Sequence, residues 1–180
     1  MRSFEGSPSR NLRALSRLWL PTLSRYLLFV AGGNLVWETF QLPFYTISNE
    51  GTGDELAFAV VHCIGGDLLI AMSALALALI LIGTEAWPAS RHKRAAALAV
   101  AIGIAYTIYN EWLNIVVRKN WAYSDLMPII PTIDARLSPV AKWVVIPTAG
   151  FWWARGTHPS NAKPVTGHPG KFLFRSKTNA

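Results

Sequence analysis

Apolar residues in this chain occur in four long runs, separated by shorter polar or basic segments. The four runs cover roughly Tyr26–Thr46, Leu56–Gly83, Ala95–Val117 and Leu137–Ala154. Runs of about 20 mostly apolar residues are typical of helices that cross a bilayer, and they exceed what a soluble core helix requires. The pattern therefore predicts an all-α, polytopic membrane protein whose four transmembrane helices form a bundle.

The composition agrees with this prediction. Of the 180 residues, 52% are hydrophobic and only 15% are charged, whereas soluble domains contain about 25% charged residues. Eight Trp and five Tyr fit aromatic belts at the two membrane interfaces. The net charge of +7 would suit a nucleic-acid-binding protein, but the basic residues are spread over separate segments without a recognisable motif. We therefore expect a bilayer, and no nucleic acid, as the partner.

The distribution of Lys and Arg predicts the orientation of the helices. The N-terminal segment, the 84–94 loop and the tail from Arg155 contain five, three and five of them, whereas the other two connections contain none and three. Positive loops stay on the cytoplasmic side, so both termini are predicted to be cytoplasmic, as in a bacterial inner-membrane protein. The predicted organisation is a basic segment over 1–25, a transmembrane domain over 26–155 and a flexible tail over 156–180. Within the first segment, Arg10–Leu20 has the spacing of an interfacial helix that ends at Pro21.

The connection Arg118–Arg136, which we call the outer connection, joins the third and fourth predicted helices. It is long and mixes aromatic residues with prolines. Such a segment is expected to lie at the outer interface rather than extend into water. We predict that its central part, Trp121–Pro131, covers the helix ends as a lid. Tyr123 or Met127 is then expected to contact the first or third helix.

Five ionisable residues fall inside the predicted membrane helices: Glu38, His62, Asp67, Glu111 and Lys142. Ionisable groups are costly in hydrocarbon, so each is a functional candidate by default. Counting about 1.5 Å per residue from the cytoplasmic boundaries places all five roughly 20–32 Å from the inner face. The sequence thus predicts a polar site in the outer half of the bilayer.

Glu38, Glu111, His62 and Lys142 are the candidate catalytic residues. Glu38 and Glu111 each share a helix face with amides, so both should turn inward and lie within about 10 Å of each other, with His62 or Lys142 beside them. Asp67 is expected to act as a helix cap or to pair with a basic residue of the outer connection. The candidate substrate-binding residues are the polar and aromatic neighbours of these acids, namely Asn34, Trp37, Tyr106, Tyr109, Asn110, Trp112, Asn114, Trp121 and Tyr123.

Two inward carboxylates in different environments suggest acid/base chemistry on a lipidic substrate that arrives from the outer leaflet. The same groups would suit a proton- or ion-linked transport component, or a non-catalytic membrane subunit or assembly factor. They could also simply stabilise the fold, and a homodimer or another membrane protein is a possible partner. An enzyme requires an enclosed pocket, a carrier requires access from both sides, and a subunit requires a polar face on the outside of the bundle.

The metal and cofactor content stays open at the level of sequence. Two carboxylates and a histidine could bind zinc or iron. However, the Glu-x-x-His pairs of di-iron bundles are missing, and His62 is the only histidine in a predicted membrane helix. Bis-histidine haem is therefore excluded within one chain. The single cysteine, Cys63, excludes an intramolecular disulfide.

Overall fold

A computed structural model describes residues 8–83, 87–88 and 91–155 of the chain. The predicted tail over 156–180 and the first seven residues lie outside this part. The described α-helices are α1 Pro8–Gln41, α2 Ile47–Glu50, α3 Gly53–Ile82, α4 His92–Trp112 and α5 Leu137–Arg155. Helix α1 continues into a 3₁₀ turn, Leu42–Phe44, and α4 into a π-helical turn, Leu113–Val117. The strands β1 Ile129–Ile130 and β2 Ala135–Arg136 form a small antiparallel pair in the outer connection.

The four long helices correspond to the four apolar runs, with one difference at the N-terminus. The predicted break at Pro21 is wrong, because α1 runs through this proline without interruption. A proline inside a helix removes one backbone hydrogen bond. Packing on both sides offsets that loss: Trp19 meets Trp87 edge to face at 5.5 Å, and Thr22 and Tyr26 are buried.

The four long helices form a ring in which neighbours pack in the order α1, α3, α4, α5 and back to α1. At one end, which we call the core end, the interior is apolar and closely packed. It contains the stacked pair Tyr26 and Phe151, with ring centroids 4.1 Å apart. The alanines of α3 and α4 in the core, such as Ala71, Ala78 and Ala95, are almost fully buried and let the two backbones approach closely.

Two of the described helical segments are long and apolar enough to cross a membrane by length and composition, α3 and the segment His92–Val117. Helices α1 and α5 are not among them. Helix α1 contains the buried polar residues Asn34, Glu38 and Gln41, and α5 contains the buried Lys142. Two candidate spans, rather than the predicted four, therefore meet this criterion.

The outer connection folds back over the end of the ring opposite the core end, which we call the cavity end. The Ser124 amide donates to the Phe44 carbonyl at 2.8 Å, and the Thr46 amide donates to the Ala122 carbonyl at 3.2 Å. The Tyr123 hydroxyl donates to the Glu111 carboxylate of α4 at 2.7 Å, and Met127 is buried. The predicted contact between Tyr123 and the third long helix is therefore confirmed.

Candidate functional site

A cavity of about 920 Å³ lies inside the ring at the cavity end. All four long helices contribute to its walls, and so do the segment after α1 and residues 120–122 of the outer connection. Its volume lies within the range of about 300–1,000 Å³ that is typical of small-molecule sites. The five ionisable residues of the predicted membrane helices line it together: Glu38, His62, Asp67, Glu111 and Lys142.

Lys142 is held by two carboxylates from two other helices. Its Nζ donates to Oε1 of Glu38 on α1 at 2.6 Å and to Oδ2 of Asp67 on α3 at 2.8 Å. All three residues are buried, with exposed fractions of 3% to 7%. Buried charges are tolerated when they are paired and hydrogen-bonded, so this ion triad (Glu38, Asp67 and Lys142) joins α1, α3 and α5 at one point.

The second carboxylate on Lys142 is Asp67, which corrects the expectation that Asp67 caps a helix or pairs with a basic residue of the outer connection. His62 was expected beside the acids, and it lines the same cavity as they do. Asp67 and His62 lie five positions apart on α3, so their side chains point in different directions. Asp67 faces the ring interior, whereas His62 is exposed and stacks on Phe58 with ring centroids 5.6 Å apart. Opposite charges at similar depths on α3 and α5 were the sequence signal for the Asp67–Lys142 pair.

Glu38 and Glu111 lie on α1 and α4, which are diagonal in the ring, and both line the cavity. Lys142 was expected beside them; it pairs with Glu38, and its second carboxylate partner is Asp67 rather than Glu111. Glu111 instead accepts a hydrogen bond from Tyr123, and within the described residues it makes no ion pair.

A hydrogen-bonded chain of side chains leads from Glu111 through the outer connection to α1. The hydroxyls of Tyr123 and Tyr45 are 3.3 Å apart, and Gln41 Nε2 donates to the Tyr45 hydroxyl at 2.5 Å. Gln41 Oε1 accepts from Ser138 Oγ of α5 at 2.7 Å. Burial raises the pKa of Tyr123 well above its ordinary value, so its hydroxyl keeps its proton at neutral pH and donates to Glu111.

The two faces of α4 differ sharply. Thr107, Asn110 and Glu111 line the cavity, whereas the aromatic residues of the predicted site point away from it. These are Tyr106, Tyr109 and Trp112, which are about half exposed and pack along the outer face of the helix. Their assignment as substrate-binding residues is therefore not supported; a period of 3.6 residues centres 106, 109 and 112 on the side of α4 opposite 107 and 111.

The other predicted binding residues have separate positions. Asn34 is buried and donates to the Val30 carbonyl at 2.8 Å, away from the cavity. The Trp37 indole donates to Gln41 Oε1 at 3.0 Å and to Ser138 Oγ at 3.1 Å. Asn114 accepts from Asn120 at 2.8 Å, which anchors the start of the outer connection. These three residues have structural hydrogen bonds and do not line the cavity.

Trp121 does line the cavity, and its indole nitrogen is buried without a hydrogen-bond partner. The Thr107 hydroxyl is in the same situation, since it also belongs to a cavity-lining residue and is also unpartnered. Buried polar atoms normally have a partner, so each exception requires an explanation. The sequence placed Thr107 on the face of Glu111 but gave no signal that its hydroxyl would be unpaired.

Within the described part of the chain, no group of three His, Cys, Asp or Glu side chains is arranged to hold a metal ion. Comparisons of the chain with protein-family models, curated proteins and solved structures give no match. The site is therefore interpreted from its own geometry and chemistry.

Proposed function

We propose that the chain is an integral membrane enzyme with four membrane-spanning helices, which performs acid/base chemistry on a lipidic substrate in the outer half of the bilayer. One observation carries this proposal. Ionisable side chains from all four long helices line one cavity of substrate size, and residues 120–122 of the folded outer connection form part of its wall.

The surface of α1 and α5 supports the two additional spans. Large apolar side chains face outward on both helices, among them Leu28, Phe40, Val145 and Trp152, which are 52% to 78% exposed. The buried polar residues of these helices that face the ring interior are hydrogen-bonded, as in Glu38 with Lys142. Outward apolar and inward polar residues are expected of a bundle in lipid, where polar groups must be satisfied internally.

The four-span arrangement makes a direct prediction for topology. Reporter fusions after Gly53 and Asp125 should be active only in the periplasm, and fusions after Ser90 and Gly156 only in the cytoplasm. The physical reason is the excess of Lys and Arg in the terminal segments and in the 84–94 loop. Alkaline phosphatase and green fluorescent protein fusions would measure the two sides, and a cytoplasmic signal at Asp125 would contradict the arrangement.

Within the proposed site, Glu111 is the residue that exchanges a proton with the substrate. Glu38 and Asp67 are both ion-paired with Lys142. The ion triad therefore holds its three side chains in place, and its formal net charge is one negative unit. Glu111 has a single donor, Tyr123, and its remaining acceptor capacity is available to a ligand in the cavity. Tyr123 orients the carboxylate, since its hydroxyl stays protonated and donates.

The arrangement favours an enzyme over the alternative functions. A carrier would require a second route from the core end, but that end is filled by packed side chains such as Tyr26, Phe151 and Ala95. A subunit that binds through a polar surface would require the acids on the outside of the ring. Glu38, Asp67 and Glu111 line the interior cavity instead.

The function is tested by comparing membrane lipids from cells that produce the chain with lipids from cells carrying the empty vector. Untargeted mass spectrometry should find at least one lipid consumed and one formed only when the chain is present. Incubation of the purified chain with the consumed lipid should reproduce the conversion. Identical lipid profiles in the producing and control cells would contradict the proposal.

A further inference from the structure

The acidic residues of this chain are concentrated around its cavity. Six of the ten Asp and Glu residues of the sequence line it, whereas Lys142 is the only lining Lys or Arg among the residues that the structure describes. The chain as a whole has a formal charge of +7. The cavity of a basic protein therefore carries a strong local excess of negative charge, which would attract cations.

The acids occur at two levels of the cavity. Glu50, Asp54 and Glu55 are exposed near the outer ends of α2 and α3, where they are accessible to water. Glu38 and Asp67 are buried further inside. A ligand that approaches from the outer side therefore meets exposed negative charge first and buried carboxylates afterwards.

The remaining walls are apolar and aromatic. Leu42, Phe58 and Ile70 line the cavity, as do the rings of Trp121 and Trp143. Apolar walls require an apolar body on the ligand, and aromatic faces attract organic cations. A bare metal ion would use neither feature, and the described residues contain no group of three ligating side chains suited to one.

The Thr107 hydroxyl points independently to a ligand. Thr107 is 6% exposed and lines the cavity on the same face of α4 as Glu111, and its Oγ1 has no hydrogen-bond partner. A threonine inside a helix can satisfy its hydroxyl on the carbonyl one turn before it, and Thr107 lacks this bond. Thr107 is a cavity-lining residue whose buried hydroxyl lacks a partner, and a bound molecule that supplies this partner is the simplest explanation.

We propose that the cavity binds an amphiphile whose polar end is a protonated amine and whose body is an apolar chain. This inference rests on the proposed function, because it names the substrate class of that same cavity. The amine retains N–H groups, which donate to the Thr107 hydroxyl and the Glu111 carboxylate, and its charge is balanced by the surrounding acids. The apolar chain lies along Leu42, Phe58 and Ile70.

Binding of dodecylamine to the full chain in phosphatidylcholine nanodiscs tests this inference. Radiolabelled dodecylamine should bind saturably and in stoichiometric amount above the level taken up by empty nanodiscs. Dodecanol and dodecanoate should compete at least about tenfold less well, since they have the same chain without the positive charge. Equal competition by all three compounds would overturn the proposal, because it would mean that only the apolar chain is recognised.

Thr107→Val separates a ligand-binding role from a structural one. Valine has nearly the same shape and lacks the hydroxyl, so dodecylamine affinity should fall about five- to twentyfold through loss of one hydrogen bond. The melting temperature of the ligand-free chain should stay the same or rise, because an unpaired buried hydroxyl is removed. Unchanged affinity with a lower melting temperature would show a structural hydroxyl and contradict the inference.

Asp54→Asn, with Asp125→Asn as matched control, tests the exposed acids. Asp54 lines the outer part of the cavity and Asp125 does not, yet both substitutions remove one negative charge. Asp54→Asn should slow dodecylamine association and weaken its dependence on salt, whereas Asp125→Asn should change neither. Equal effects of the two substitutions would contradict a local role of the cavity acids.

The results also distinguish this inference from the proposed function. Preferential binding of dodecylamine without any change in cellular lipids would support the charge preference and contradict the enzyme. If the consumed lipid is neutral or anionic and dodecylamine is not preferred, the results would support the enzyme. They would overturn the proposal that the ligand is a protonated amine.

Discussion

Glu111→Gln is expected to abolish the lipid conversion while the chain still inserts and accumulates in the membrane. The amide keeps the shape of the side chain and can accept the hydrogen bond from Tyr123, but it cannot take up or release a proton. Positioned acid/base groups contribute about 10²- to 10⁴-fold to rate, so conversion of the identified lipid should fall by roughly that factor. The rate is measured with purified chain in nanodiscs, and the amount of chain by immunoblotting of membranes.

Asp125→Asn is the matched control for this substitution, because Asp125 lies in the outer connection and does not line the cavity. It should leave both rate and abundance unchanged. A Glu111→Gln chain that converts lipid at the normal rate would exclude Glu111 as the proton-exchanging group. Loss of abundance in parallel with loss of rate would instead assign Glu111 a structural role.

Lys142→Met is expected to have the largest effect on stability. The substitution leaves Glu38 and Asp67 buried without their shared cation, since both carboxylates bind the same Nζ at 2.6 and 2.8 Å. Removing one partner of a buried ion pair costs about 3–5 kcal/mol, which is a large part of the stability of a small protein. Unfolding by sodium dodecyl sulfate in mixed micelles would measure the loss.

Two further variants make the stability test specific. The triple variant Lys142→Met, Glu38→Gln, Asp67→Asn should recover most of the lost stability, because neutral amides no longer leave unpaired charges in the interior. Lys93→Met is the control, since Lys93 is exposed at the start of α4 and should cost little. If the triple variant were as unstable as Lys142→Met alone, unpaired charge would not be the cause.

The positions of the long helices and of the polar part of the bundle could be predicted from the sequence alone. The apolar runs predicted all four long helices, since hydrophobic length is a local property. Depth along a helix is also local, because each residue adds a fixed rise. Counting residues therefore placed Glu38, Asp67, Glu111 and Lys142 at one level, and all four line one cavity.

Angular spacing also contained information about α4 that is independent of tertiary structure. Three aromatic residues, Tyr106, Tyr109 and Trp112, share one face, and Thr107 and Glu111 share the opposite one. Only one face could turn inward, so proximity in sequence to Glu111 was a misleading reason to group the aromatic residues with it. The buried Thr107 marks the face that does turn inward.

Which charged side chains meet depends on the packing of the helices against one another. Three acids lie at depths similar to that of Lys142. It pairs with Glu38 and Asp67 because of the way α1, α3 and α5 are rotated about their axes. That rotation follows from contacts between residues distant in sequence, such as Gly103 against the Trp143 ring and Gly33 against Ile146. The same long-range packing keeps α1 helical at Pro21 and places the Tyr123 hydroxyl against the Glu111 carboxylate. A linear sequence specifies the height and direction of a side chain on its own helix, but the neighbours of that side chain are set by the packing of the whole ring.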